Sequence, residues 1–259
     1  MKITHTYAVS DLHGRYDLWE KIKSHLQEND VIYFLGDAID RGPDGLKLMQ
    51  ELLADKRVHY IIGNHEEMML NCGTTLSMLG NPNHYALWLA NGGNTTIRCY
   101  NILSEEEQKQ LLYQIKRLPR WEKYTNKSGL SIFMCHAGTV YGWDEAKWAK
   151  RMKLCSAFTW GRDHFDMEWD TTEKSDIVNC DMVIHGHTPV SIAIKEKFIT
   201  PDSKELSKME HVCPKAITYC DGHIIDIDMG SCFSNTACLL DLDSLEPIYF
   251  KGENNLIWS

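Results

Sequence analysis

The sequence predicts an α/β fold built as a single domain over residues 1–259. Three observations carry that expectation. Short apolar runs alternate with stretches of helical period through the first third of the chain. The runs stop at glycine and polar residues, where strands leave a sheet. A hydrophobic content of 43% over 259 residues is enough to fill one large core.

Tyr7-Ala8-Val9 is the first strand-like run and stops before Asp11. Leu18, Trp19, Ile22 and Leu26 then recur at helical spacing, with Asp17 as the expected cap. Val31 to Leu35 is continuously apolar, the pattern of a strand buried on both faces. Pro43 suits a first helical turn, and Leu46, Met49, Leu52 and Leu53 continue that helix. Val58 to Ile62 is the third strand. This strand-helix-strand-helix-strand order implies parallel neighbours.

A helical region spans roughly Glu66 to Leu89, broken near Gly80-Asn81-Pro82 and ended by Asn91-Gly92-Gly93. Ser104 and Glu107 read as a capping box for a helix to about Arg117, with Glu105 to Glu107 in its first turn. Leu130 to Met134 and Met182 to Ile184 are strand-like. So are Ala216 to Tyr219, His223 to Ile227 and Ala237 to Leu240. The expected layout is a parallel half leading into a more antiparallel half.

The formal charge of -9 argues against a nucleic-acid partner, which would want stripes of Lys and Arg. It leaves a phosphate pocket open, because bound metals carry their own positive charge. Nine cysteines, odd in number and without a C-x-x-C pair, argue against a disulfide framework or a zinc ribbon. Reduced thiols in a cytoplasmic protein are the simpler expectation. No run approaches the ~18 apolar residues of a membrane span, and the start lacks the apolar core of a signal peptide.

Five segments end in metal-type ligands: Ser10 to Gly14, Gly36 to Gly42, Gly63 to Glu66, Cys135 to Gly138 and His185 to His187. Open α/β sheets bind ligands at the carboxyl ends of their strands, where these segments fall. Asp11 and His13 are two apart, and in extended chain both would face one ion. The mix of carboxylate, amide and imidazole without thiolate suits Mn, Fe, Zn or Ni. Asp37, with two oxygens, is the natural bridge between two ions. Ions ~3.5–4 Å apart hold a hydroxide for in-line attack on phosphorus. His65 is then placed to protonate the leaving alkoxide, and Arg41 offers a rigid fork for two phosphate oxygens.

These segments resemble the phosphoprotein phosphatase branch of the calcineurin-like metallophosphoesterase superfamily. Its Gly-Asp-x-x-Asp-Arg-Gly and Gly-Asn-His-Glu motifs are complete as Gly36 to Gly42 and Gly63 to Glu66. The first motif departs by Ser10 in place of Gly, and the fourth carries Ala137 where many eukaryotic members have Gly. Asn83 to Gly93, Thr159 to Arg162 and His187-Thr188-Pro189 are similar to stretches in small bacterial and phage members. The resemblance covers roughly residues 7 to 235.

It implies two packed mixed β-sheets flanked by helices in four layers. It implies Asp11 and His13 on a first metal, Asp37 bridging, and Asn64, His136 and His187 on a second. His65 would be the general acid, oriented by Asp40, with Arg41 and Arg162 on the phosphate. The implied cofactors are two divalent ions, usually Mn²⁺. The implied activity is a protein serine/threonine phosphatase acting on phosphorylated proteins, peptides or small phosphoesters. Two other readings are a symmetrical bis(5'-nucleosyl)-tetraphosphatase and a scaffold that has lost catalysis. The match around Arg162 favours the phosphatase, and the intact ligand set disfavours the scaffold.

Several residues are expected to be structural. His185 reads as a packing residue behind His187, and Cys135 as a small apolar residue pointing into the core. His84 is a weaker candidate for the substrate mouth, and Trp88 and Trp160 for the groove. His5, His25, His59, His164, His211 and His223 read as surface residues.

Overall fold

The computed structural model describes residues 4–72, 82–138, 157–162, 180–196 and 214–253. β1 (Thr6–Val9), α1 (Tyr16–His25), β2 (Val31–Phe34), α2 (Gly45–Ala54) and β3 (Val58–Tyr60) alternate at the start. Then come α3 (Asn64–Cys72), α4 (Pro82–Ala90), α5 (Asn94–Tyr100) and α6 (Glu105–Lys116). The rest comprises β4 (Trp121–Thr125), β5 (Ser131–Cys135), α7 (Ala157–Trp160), β6 (Met182–His185), α8 (Val190–Lys195), β7 (Ile217–Tyr219), β8 (Ile224–Asp226), α9 (Ser231–Ser234), β9 (Thr236–Asp241) and β10 (Pro247–Lys251).

The strands form two five-stranded mixed sheets, β10-β9-β1-β2-β3 and β4-β5-β6-β8-β7. In the first, β1, β2 and β3 are parallel, with Tyr7 opposite Ile32 and Tyr33 opposite His59. β9 joins β1 antiparallel and β10 pairs back on β9. In the second, β5, β6 and β8 are parallel, and β4 and β7 are antiparallel edges. Among the described residues the first three strands pair with one another only in parallel, whereas the later strands make four antiparallel pairings and two parallel ones, so the second half of the chain is the more antiparallel, as expected.

Alternation along the first sheet builds two cores. Ala8, Tyr33, Leu35, Ile61, Cys238 and Leu240 face the second sheet and pack with Ile132, Met134, Ile184 and Ile225. Tyr7, Val9, Ile32, Phe34, Tyr60 and Leu239 face the helices and pack with Trp19, Ile22, Met49 and Trp88. Both faces are buried, so the runs read as continuously apolar. Their carboxyl ends open at the seam between the sheets.

Local details separate propensity from packing. Asp17 is not the cap of α1: the helix starts at Tyr16, and Asp17 sits in its first turn, accepting from Arg15 Nε at 2.8 Å and Nη2 at 2.7 Å. A buried Arg15 needs that carboxylate more than the helix end does. Pro43 lies just outside α2, which begins at Gly45. α5, β4 and β10 were not expected, because each is short and half-buried and carries little period of its own.

The capping box forms as expected: Ser104 N–H donates to Glu107 Oε2 at 2.8 Å and Glu107 N–H to Ser104 Oγ at 3.3 Å. Ser104→Ala is expected to cost about 1 kcal/mol in a denaturant titration without changing metal content. An unchanged midpoint would show the box to be idle.

Candidate metal centre and active site

The candidate ligands converge from both sheets. Asp11 and His13 follow β1, Asp37 follows β2, and Asn64 and His65 open α3 just past β3. His136 follows β5 and His187 follows β6. Backbone bonds zip the loops together. Asp11 N–H donates to Gly36 O at 3.1 Å, His13 N–H to Asp37 O at 2.9 Å, and Gly186 N–H to His136 O at 2.8 Å.

Asp11 and His13 do not lie in extended chain. Both are left-handed, at φ 54° and 44°, as are Asp37 at 60°, Asp40 at 70°, Arg41 at 60° and His187 at 71°. The argument from two-residue alternation is therefore replaced by one from turn geometry. Such conformations cost of order 1–3 kcal/mol each in non-glycine residues and cluster where a site demands them.

Asp37 is the centre. Its Oδ2 lies 3.5 Å from His13 Nε2, 3.7 Å from His65 Nε2 and 3.5 Å from His136 Nε2. Asn64 Oδ1 is 2.9 Å from His136 Nε2 and 3.0 Å from His187 Nδ1. Two groups of donor atoms share Asp37, one with His13 and His65 and the other with His136 and His187, each within 4.8 Å. Asp11 stands beside the first group, its Oδ1 3.9 Å from His13 Nε2. His65 is thus within ligand reach of the first group, a proximity that spacing alone did not indicate.

The donor chemistry fits divalent cations. Burial pushes the Asp11 carboxyl up to about 7. Burial, with Asp11 and Glu66 nearby, pushes Asp37 well above the ordinary carboxylate range. Burial holds His136 down to about 4, and His13 and His187 well below the imidazole range. The imidazoles are therefore neutral, with lone pairs to give, and the carboxylates lack compensating charge. Asp11 Oδ1 and His187 Nε2 are buried without a hydrogen-bond partner. Dications bound at the two donor groups would compensate such orphaned atoms.

A second ring of contacts fixes the donors. His13 Nδ1 pairs with Ile39 O at 2.9 Å and His136 Nδ1 with Leu35 O at 2.7 Å, which leaves each Nε2 facing Asp37. Ser10 Oγ and the His187 N–H both donate to Asp11 Oδ2. Gly63 and Gly186 are close-approach glycines: a Cβ would run into Asp37 Oδ1 at the first and Asp11 Oδ2 at the second.

Sequence reasoning gave Glu66 no role beyond completing its motif. Its buried carboxylate accepts from Asp37 N–H at 2.8 Å, Ala38 N–H and Gly63 N–H at 2.9 Å, and Tyr60 OH at 2.9 Å. It ties the β2 and β3 loops together. Asp228, after β8, is also buried and close enough to Asp11 for the two charges to oppose each other. Its isolated position offered no signal.

His65 Nδ1 lies 2.7 Å from Asp40 Oδ2, which also accepts from Trp88 Nε1 at 2.8 Å. Trp88 is therefore fully buried as a support for Asp40, not a groove residue. Trp160 lies at the rim, its ring centroid 6.2 Å from that of His187. Arg41 Nη2 is 3.2 Å from His65 Nε2. Arg162 is exposed and donates through Nε to Thr188 Oγ1 at 3.0 Å, next to His187. His185 points away from the donors, its Nε2 2.6 Å from Tyr219 OH, and Cys135 is buried in the core. His84 is exposed on α4, and His164 and His211 lie outside the described residues.

Excess Mn²⁺ is expected to raise the unfolding free energy, by about 2.7 kcal/mol at a hundredfold its dissociation constant. Asp37→Asn is expected to remove most of that gain in thermal melts, and a flat response of the unaltered protein would dismiss the metal centre. Glu66→Ala strands three backbone donors and a tyrosine hydroxyl. It is expected to cost at least about 3 kcal/mol and to weaken Mn²⁺ binding by calorimetry.

Comparison with known proteins places this geometry. Residues 4–191 match the calcineurin-like phosphoesterase family. The chain is 30% identical over 186 residues to serine/threonine-protein phosphatase 2 of Escherichia coli strain K12, covering 71% of this chain and 79% of that protein. It is also 30% identical over 145 residues to a symmetrical bis(5'-nucleosyl)-tetraphosphatase of Buchnera aphidicola subsp. Schizaphis graminum, covering 52% of this chain and 53% of that one. The match thus spans only about half the length of that relative. A crystal structure provisionally described as a diadenosine tetraphosphatase superposes with a TM-score of 0.59 at 14% identity, over 98% of this chain and 96% of that one. With its two mixed sheets, flanking helices and clustered Asp and His donors, the chain belongs to the calcineurin-like phosphoesterase family and is a metallophosphoesterase.

Proposed function

We propose that this protein is a dinuclear-metal phosphomonoesterase acting on phosphoserine and phosphothreonine in proteins. The observation that carries the reading is the pair of donor groups sharing Asp37, with His65 and Arg41 side by side at its edge. In this reading Asp11 and His13 would hold one ion and Asn64, His136 and His187 the other, with Asp37 shared between the two donor groups. Metal ions held there would neutralise phosphate charge and activate a water.

The remaining roles belong to the chain's own side chains. Asp40 Oδ2 accepts the Nδ1 proton of His65, so Nε2 is the atom turned toward the substrate. His65 holds its proton at Nε2 and passes it to the departing alkoxide, while Asp40 stabilises the imidazolium. Arg41 binds phosphate oxygens from the His65 side and Arg162 from the His187 side. The surrounding burial keeps water away from the donors.

Coverage supports a protein phosphatase over the symmetrical tetraphosphatase: the protein phosphatase relative aligns over 71% of the chain, against 52% for the tetraphosphatase. The tetraphosphatase is the second reading, supported by its own 30% identity. Manganese is proposed as the working metal on the oxygen-and-imidazole donor set. A cytoplasmic location is proposed on the thiols of Cys72, Cys135, Cys180, Cys232 and Cys238, all buried and outside any disulfide. Among the described residues no helix is long and apolar enough to cross a membrane.

Purified protein with Mn²⁺ is expected to release phosphate from phosphoserine and phosphothreonine peptides. Cleavage of diadenosine tetraphosphate alone would transfer the assignment to the second reading. His65→Asn is expected to lower kcat about 10²–10⁴-fold with metal content unchanged by elemental analysis. Loss of metal with that substitution would make His65 a ligand instead. Arg162→Ala is expected to raise KM, and unchanged kinetics would remove it from the site.

A further inference from the structure

A buried indole N–H needs an acceptor, and the acceptor that Trp88 has found is the one oxygen that also holds His65. Trp88 Nε1 donates to Asp40 Oδ2 at 2.8 Å, and His65 Nδ1 lies 2.7 Å from the same oxygen. Asp40 Oδ1 is buried with no hydrogen-bond partner. Two N–H groups therefore converge on one carboxylate oxygen while its twin takes none. All three side chains are at most 1% exposed, so no solvent competes for these bonds.

The turn that follows Trp88 is built onto Asp40 and Arg41. Asp40 N–H donates to Thr96 Oγ1 at 2.9 Å, and Arg41 N–H to Gly92 O at 3.0 Å. Gly93 N–H donates to Trp88 O at 3.0 Å, which closes the end of α4 under the indole. A Cβ at Gly93 would lie 2.6 Å from Trp88 Cδ1 and 2.7 Å from its Nε1, so the nitrogen-bearing edge of the ring packs directly on this backbone. Asp40 and Arg41 are themselves left-handed, at φ 70° and 60°. Their unusual backbone is held from outside, by the segment that carries Trp88 and Thr96.

We infer that Trp88 is a positioning residue for the proton donor: through Asp40 Oδ2 it fixes the direction of the His65 ring, and with it the line along which Nε2 meets the departing oxygen. The inference rests on the phosphomonoesterase reading with His65 as its acid. The reason is the freedom of a carboxylate to turn. With His65 as its single donor, Asp40 could rotate about its Cβ–Cγ bond and offer either oxygen, because that torsion is broad. A second N–H on Oδ2 removes the choice, and the imidazole follows the oxygen that it is bonded to. In the transfer the N–H bond at Nε2 breaks, its electron pair stays on the ring, and an O–H bond forms on the leaving group. Misplacing such a donor by about 1 Å costs on the order of 10²-fold in rate.

The test is a double-mutant cycle between Trp88→Phe and His65→Asn, read as kcat and KM on a phosphoserine peptide with Mn²⁺. Trp88→Phe keeps a buried ring and removes the N–H. It is expected to lower kcat about 10-fold, inside the ~10²–10⁴-fold that a positioned proton donor supplies, with KM and metal content unchanged. In the His65→Asn background the same substitution is expected to change kcat by less than about twofold, because the group that it positions is already gone. Equal losses in both backgrounds would make Trp88 a packing residue and overturn the inference. So would an unchanged kcat in Trp88→Phe. Replacing Trp88 by benzothienylalanine, which puts sulfur in place of the N–H at nearly the same volume, is expected to reproduce the loss. Full activity with that replacement would overturn the inference as well. An unaltered protein that releases no phosphate from the peptide would instead defeat the phosphomonoesterase reading, and the inference with it.

Discussion

A carboxylate buried between two sheets is the constraint from which the rest of this molecule follows. Asp37 is 1% exposed and surrounded by imidazole nitrogens at 3.5 to 3.7 Å. Burial favours the neutral forms of Asp37, His13 and His136, so these side chains do not supply the positive charge that an ionised Asp37 requires. Bound cations would supply that charge to donors that loop-to-loop hydrogen bonds already hold in place. Glu66 belongs to the same logic: a second buried carboxylate, satisfied by four donors, keeps the β2 and β3 loops in register around the first.

The two-sheet architecture is what makes such a cluster reachable. A single parallel sheet presents its strand ends along one line, whereas two sheets packed face to face present two such lines across a seam. Asp11, His13, Asp37, Asn64 and His65 come from the first sheet, and His136 and His187 from the second. Each donor enters through a short turn, and six site residues adopt left-handed backbone there. That conformational cost is local and is repaid by loop-to-loop hydrogen bonds and by the dry core on either side.

The edge of the centre has a different character from its middle. Around Asp37 the side chains are neutral or acidic and fully buried. Toward Arg41, Phe233, Trp160 and Arg162 they are cationic or aromatic and open to solvent. His65 stands at the boundary, its Nδ1 held by the buried Asp40 and its Nε2 next to Arg41. Trp88 extends this chain of contacts into the core by donating to Asp40. His65 is thereby oriented from the inside, with its Nε2 left toward the rim.

The candidate donor residues were legible in the sequence because each sits in a short segment marked by its own glycine turn: Asp37 between Gly36 and Gly42, Asn64 after Gly63, His187 after Gly186. The buried parallel strands were legible for the same kind of reason, since a strand covered on both faces has no polar alternation to confuse it. The tertiary structure alone decided what depends on contacts distant in the chain. β9 lies beside β1 although more than two hundred residues separate them in sequence. Trp88 lost its expected place in the groove because burial is set by neighbours: its Nε1 donates to Asp40, and the side chain is fully buried. Ligand identity is a property of side-chain chemistry and survives in one dimension, whereas the shape of the site is a property of which loops meet.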